Sequence, residues 1–265
     1  MMDALITALS ETTELRIESG DWHLGEFIAP QDEIDAAWGA LDPTRVAVEK
    51  VIFFDDGHYE APTFLSAFGQ LEELVLYGNT LIHDLSMLAH HPRLQRVALT
   101  NYCGLTTAEQ LAFLSTLPHL NELILLDGYL ELPAPALPAE VTTRLRSLWL
   151  SWAGFAGLTP APLKQLERLT IELTDVDAFT RGVNDLEARL RALLTPLGDR
   201  GGRVRVFHRH RADAADRAQL EASFARCLPD GATTTHHWRG QPPEPMQVLS
   251  HGDAFLGERP LLSAP

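Results

Sequence analysis

The stretch LEELVLYGNTL, residues 71–81, places Leu71, Leu74 and Leu76 three and then two residues apart and closes on Leu81. Side chains two apart share one face of a strand, so Leu74 and Leu76 point into a common core and Glu73, Val75 and Tyr77 point away from it. Gly78 and Asn79 follow as turn formers. The same spacing recurs outward as Val48, Val51, Phe53; Leu94, Val97, Leu99; Leu120, Leu123, Leu125; Leu145, Leu148, Leu150; and Leu166, Leu169, Ile171. The starts of these units lie 23, 23, 26, 25 and 21 residues apart. A unit of that length cannot bury its apolar face alone and must stack on its neighbours.

A further apolar anchor follows most strands, at Leu81, Leu105, Leu130, Phe155 and Val176. LSMLAHHP (85–92) and LAFLSTLPHL (111–120) space apolar residues as short helices do, so each unit reads as strand, turn, helix. Through LEELVLYGNTL (71–81), LQRVALTNYCGL (94–105), LNELILLDGYL (120–130) and LRSLWLSWAGF (145–155), the chain resembles the leucine-rich-repeat family, bacterial type, over residues 46–178. That resemblance implies an α/β leucine-rich-repeat solenoid with a concave parallel β-sheet, short convex helices and atypical caps. The asparagine expected at the ninth repeat position occurs only as Asn79, with Cys103 a shifted substitute and Asp56, Gly128, Ala153 and Thr174 elsewhere. The asparagine ladder is therefore incomplete.

Four segments are expected: an N-terminal cap over 1–47, repeats over 48–178, C-terminal capping strand-helix units over 179–239, and a Pro-rich tail over 240–265. In the first, Asp3 to Leu9 suits a short capping helix, Leu15 and Ile17 fall in strand phase, and residues 21–45 connect to the repeats. In the third, helices are expected over 184–199 and 212–228 and strands at RVRVF and ATTTHHW. The tail either docks or stays mobile.

Residues 1–140 hold 5 Lys+Arg against 22 Asp+Glu, a net charge of −17, whereas residues 141–265 hold 16 against 14, a net +2. An acidic field of this kind repels nucleic acid and anionic membranes and attracts basic partners. No stretch approaches the ~18 apolar residues of a membrane span, and the N-terminus lacks the pattern of a secretory leader. Two cysteines, Cys103 and Cys227, do not make a disulfide framework, and a cytoplasmic location is expected.

Candidate chemistry is sparse. DDGHYE (Asp55, Asp56, His58, Glu60) could hold a metal but reads as a solvated rim loop. His208 and His210, with His236 and His237 in the next strand, support an alternative reading as a metal-dependent protein or enzyme using a His-rich cap. Cys103 reads as a buried turn thiol rather than a nucleophile, GDRGG (198–202) lacks the Lys-Ser/Thr of a P-loop, and no GxSxG elbow is present. No catalytic residue, metal ligand or cofactor is assigned, and a non-enzymatic protein is expected.

The repeat register does assign a binding face. Ile52, Val75, Ala98, Ile124, Trp149 and Thr170 occupy the outward fifth positions and Phe54, Tyr77, Thr100, Leu126, Ser151 and Glu172 the sevenths, with Trp152 at the eighth. Ile52, Phe54, Val75, Tyr77, Ile124, Leu126, Trp149 and Trp152 are expected to form an exposed apolar tract, edged by Asp55, Glu73 and Asp127 among other charges. The function expected is protein–protein interaction through this face, in its sharper form an immunity or antitoxin protein neutralising a basic toxin.

Overall fold

The computed structural model describes residues 2–18, 20–30, 34, 42–54, 58–59, 62–77, 81–100, 105, 107, 109–126, 137–151, 163–173, 183–198, 201–208 and 213–238. It falls into two compact units, Met1–Val141 and Thr142–Pro265. Both are α/β with open sheets that are mostly parallel.

The first unit opens with helix α1 (Met2–Glu11), strand β1 (Glu14–Glu18) and a hairpin of β2 (Asp21–Leu24) and β3 (Phe27–Pro30). The strands β4 (Lys50–Phe54), β6 (Glu73–Tyr77), β8 (Arg96–Thr100) and β9 (Glu122–Leu126) follow, with β5 (His58–Tyr59) and β7 (Leu81–Ile82) paired with each other apart from them. The order across the sheet of this unit is β9-β8-β6-β4-β1-β2-β3. Leu15 pairs with Val51, Val51 with Leu74, Leu74 with Val97 and Val97 with Leu123, all in parallel. The leucine spacing is thus the strand register itself.

One backbone device repeats between these strands. The carbonyl just before a strand accepts two successive N–H groups from the start of the next repeat: Thr13 O from Glu49 and Lys50, Glu49 O from Glu72 and Glu73, Glu72 O from Gln95 and Arg96, Gln95 O from Asn121 and Glu122. Each repeat is clamped to its predecessor before its side chains begin to alternate. Leu74, Leu76, Val97, Leu99, Leu123 and Leu125 then enter the core.

Between strands the helices are shorter than the sequence suggests. Residues 85–92 form only a 3-10 turn at Ser86–Leu88, and residues 111–120 form a single α-turn at Phe113–Thr116. Crossings this short cannot complete the several turns at which helix propagation outweighs nucleation, so packing of Leu88, Phe113 and Leu114 fixes them instead. Residues 21–45 are more ordered than a connector: β2 and β3 extend the sheet antiparallel to β1, and Trp22 lies in an aromatic cluster with Phe64 at 4.7 Å and Phe68 at 6.3 Å.

The second unit holds β10 (Ser147–Ser151), β11 (Arg168–Leu173), helix α2 (Val183–Gly198), β12 (Arg203–His208), helix α3 (Ala214–Cys227) and β13 (Thr233–Trp238). Its strands pair in parallel in the order β13-β12-β11-β10, with Leu148, Leu169, Val204 and Thr234 in one register row. Asp213 caps α3 by accepting from the N–H groups of Ala215 and Asp216. Two glycines of GDRGG serve packing: a Cβ on Gly202 would lie 2.6 Å from a Leu197 methyl, and one on Gly198 would lie 2.7 Å from Pro229 Cβ.

Two measurements probe this arrangement. Leu123→Ala should lower the urea unfolding free energy by about 2–5 kcal/mol through lost burial and the cavity left behind. Gly202→Ala should destabilise the second unit by about 1–3 kcal/mol through overpacking against Leu197; a wild-type midpoint for either variant would contradict the packing described.

Candidate functional site

The face of the first unit opposite the leucine core carries the residues assigned to binding. At the third repeat position the register aligns Glu14, Lys50, Glu73, Arg96 and Glu122 across β1, β4, β6, β8 and β9, alternating in charge from strand to strand. Lys50 Nζ lies 3.2 Å from Glu14 and 3.7 Å from Glu73, and Arg96 lies 3.1 Å from the other oxygen of Glu73. Arg16 reaches Glu14 at 3.6 Å from the next position along β1 on the same face. Glu73, held between two cations, is only 3% exposed.

The fifth and seventh positions are also withdrawn from solvent. Ile52, Val75, Ala98 and Ile124 are neighbours in register and buried, as are Tyr77 and Leu126; Phe54 is half-buried and stacks on Tyr77 at 5.0 Å with the rings 4° from parallel. In the second unit Trp149 is 5% exposed and stacks on Phe207, which stacks in turn on His237.

This corrects the exposure expected of the apolar tract: Tyr77 and Trp149 are buried and Phe54 is half-buried in the free chain. Alternation assigns side chains to a face but says nothing of what lies beside them. Asp55, Asp127 and Trp152 lie outside the described residues, as do Cys103, Asp56, Glu60 and His210. Ile28, on β3, is 58% exposed and is the one large hydrophobic side chain so placed among the described residues.

Glu14 and Arg16 went unassigned in the sequence, although they hold the third and fifth positions of the strand phase that Leu15 and Ile17 define. Of the charged rim expected at Asp55, Glu73 and Asp127, only Glu73 lies among the described residues, and its charge is spent on Lys50 and Arg96.

The histidines do not converge. His208 turns to the helix-covered side of β12, where its Nε2 lies 2.9 Å from His236 Nδ1, whereas His237 faces the opposite side against Phe207. No group of three or more His, Cys, Asp or Glu disposed to hold a metal occurs among the described residues. Cys227 is buried on α3. His91, elsewhere in the first unit, donates from Nε2 to Phe68 O at 3.0 Å and accepts the Arg93 N–H at Nδ1, and burial holds its pKa below the ordinary imidazole value.

No helix among the described residues is long and apolar enough to cross a membrane. Comparison of the chain with protein-family models, curated proteins and solved structures finds no match.

Reversing the charge of Glu73 should act on the fold. Glu73→Lys would set three cations side by side in a buried row and should cost about 3–5 kcal/mol, against under 1 kcal/mol for Glu49→Lys on the exposed side. Denaturant midpoints of the two variants decide it; equal, small effects would show that the row carries no structural charge pairing.

Proposed function

We propose that this chain is a leucine-rich-repeat-type interaction module whose first unit binds a basic protein surface, in its sharper form an immunity-type protein that neutralises a basic toxin. One observation carries the reading: three of the first unit's cations pair with carboxylates within the charge row, and the exposed charges of the unit are mostly carboxylates. Arg16, Lys50 and Arg96 belong to the charge row with Glu14 and Glu73. Outside it, Asp3, Glu11, Glu26, Glu49 and Glu109 are exposed, against Arg45 and Arg93 among the exposed cations of the first unit's described residues.

The effect on association is physical. An excess of one sign steers a complementary protein and raises its encounter rate, and that gain is screened by salt. The same field disfavours nucleic acid and anionic membranes, and nothing in the reading requires a cofactor. Ile52, Val75, Tyr77, Ile124, Leu126 and Trp149 support the module by shaping its sheets; in this reading they do not anchor the partner in the free chain's conformation.

The test is affinity capture from the native cell, followed by association kinetics on the purified partner with wild type and the Gln variant of Glu11, Glu26, Glu49 and Glu109. The expected outcome is a partner with a basic contact surface whose association rate falls roughly tenfold or more from low to high salt, with the variant slow at both. A partner with an acidic contact surface, or an on-rate indifferent to salt, overturns the reading.

A further inference from the structure

The second unit ends in an arrangement that the interaction reading does not use. On the helix-covered side of β12 and β13, His208 and His236 meet nitrogen to nitrogen at 2.9 Å, with ring centroids 5.2 Å apart and planes 17° from parallel. His208 is 2% exposed and lies flat on Trp238 at 3.5 Å, while Phe224 of α3 meets His236 edge-on at 5.4 Å. Trp238 in turn donates from Nε1 to Glu221 at 3.1 Å and carries the guanidinium of Arg217 over its ring at 5.1 Å. The last residues of β13 are therefore fastened to β12 and α3 by aromatic stacking built around one imidazole pair.

We propose that this pair is a proton-operated latch, closed when the two imidazoles share a single proton across their contact and opened in mild acid, so that β13 is released. A contact of 2.9 Å between ring nitrogens requires one to donate and the other to accept. One additional proton can be held as an imidazolium–imidazole pair. A second sets two N–H groups against each other and two positive charges in one buried cluster, which the closed strand does not accommodate. Released into water, each ring takes its own proton near the ordinary value of about 6.5.

The surroundings make even the first proton unfavourable. His236 Nε2 is buried without a hydrogen-bond partner among the described residues, so where His236 Nδ1 is the donor of the contact, a proton added to this ring falls on Nε2 and leaves that N–H unsatisfied. Burial depresses the His236 pKa; Glu221 opposes this, and His237 adds to the depression. Arg217 stands on the same side as a further positive charge, and the register neighbour of His208 on β11 is the apolar Leu173. The sign follows: stability held by neutral imidazoles is complete above the unfolded pKa and is lost as pH falls below it, because the released strand binds more protons than the closed one.

The readout must be local, since protonation of His91 also weakens the first unit in acid. Thr233 N–H donates inward to Gly202 O, and by alternation the N–H groups of Thr235 and His237 also point toward β12. Their hydrogen-exchange protection, corrected for intrinsic rates, should fall about ten- to a hundredfold per pH unit below about pH 6.5, as uptake of one to two protons per opening demands. The double variant His208→Gln/His236→Asn keeps amide donors and acceptors near the paired nitrogens without titrating, and its protection at these amides should stay flat. Wild-type protection that does not change with pH, or a variant that loses protection in parallel, overturns the latch. Should the variant not fold, nuclear magnetic resonance of the ring protons in the unaltered chain decides: coupled titration with at least one imidazole displaced below the ordinary range supports it, and two independent titrations at the ordinary value overturn it.

Discussion

Parallel strands buried on both faces face a problem of register that burial alone does not solve. In β6 every residue from Glu73 to Tyr77 is buried, so sliding the strand by one residue exchanges one apolar set for another at little hydrophobic cost. Charge supplies the missing discrimination. A one-residue slip of β6 would either carry Glu73 into the core row beside Val51 and Val97, leaving a buried carboxylate unpaired, or withdraw it from between Lys50 and Arg96. The row from Glu14 to Glu122 thus works less as a source of net attraction than as a pin that makes one pairing far better than the next.

The second unit meets the same constraint differently. At the equivalent position it has Ser147, Arg168, Arg203 and Thr233, in which two arginines stand opposite each other and no alternation of sign exists. Its register is marked by shape: Trp149 reaching to Phe207, Phe207 on His237, and His208 on Trp238. Close glycine contacts at Gly198 and Gly202 fix how α2 enters β12. Aromatic pairs tolerate a change of ionic strength but not of ring chemistry, and this unit places titratable rings among them.

What could be read in the sequence follows from these devices. The strands centred on Val51, Leu74, Val97, Leu123, Leu148 and Leu169 were legible because a fixed spacing repeats, and Leu15, Val204 and Thr234 joined the same rows by strand phase. The hairpin of β2 and β3 was missed although Gly25 sits at its turn with φ +63° between the apolar Leu24 and Phe27, a signal that was available. The burial of Val75, Tyr77 and Trp149 was not legible, since alternation in one strand carries no information about its neighbours' side chains. The lateral pairing of Glu73 required the registers of three strands at once, and the opposite facing of His208 and His237 required that of two.

The charge row also bears on how the first unit can act. Removing Arg16, Lys50, Arg96, Glu14, Glu73 and Glu122 from the count of residues 1–140 leaves 2 cations against 19 carboxylates. Those carboxylates repel one another, and the repulsion lowers the stability of the free unit by an amount that depends on salt. A complementary surface that screens them relieves this repulsion on binding. Register and field therefore rest on different carboxylates: those locked in the row hold the register, and those left outside it create the field through which the proposed partner would be attracted. A sequence can vary the second set, and so its surface field, without disturbing the first.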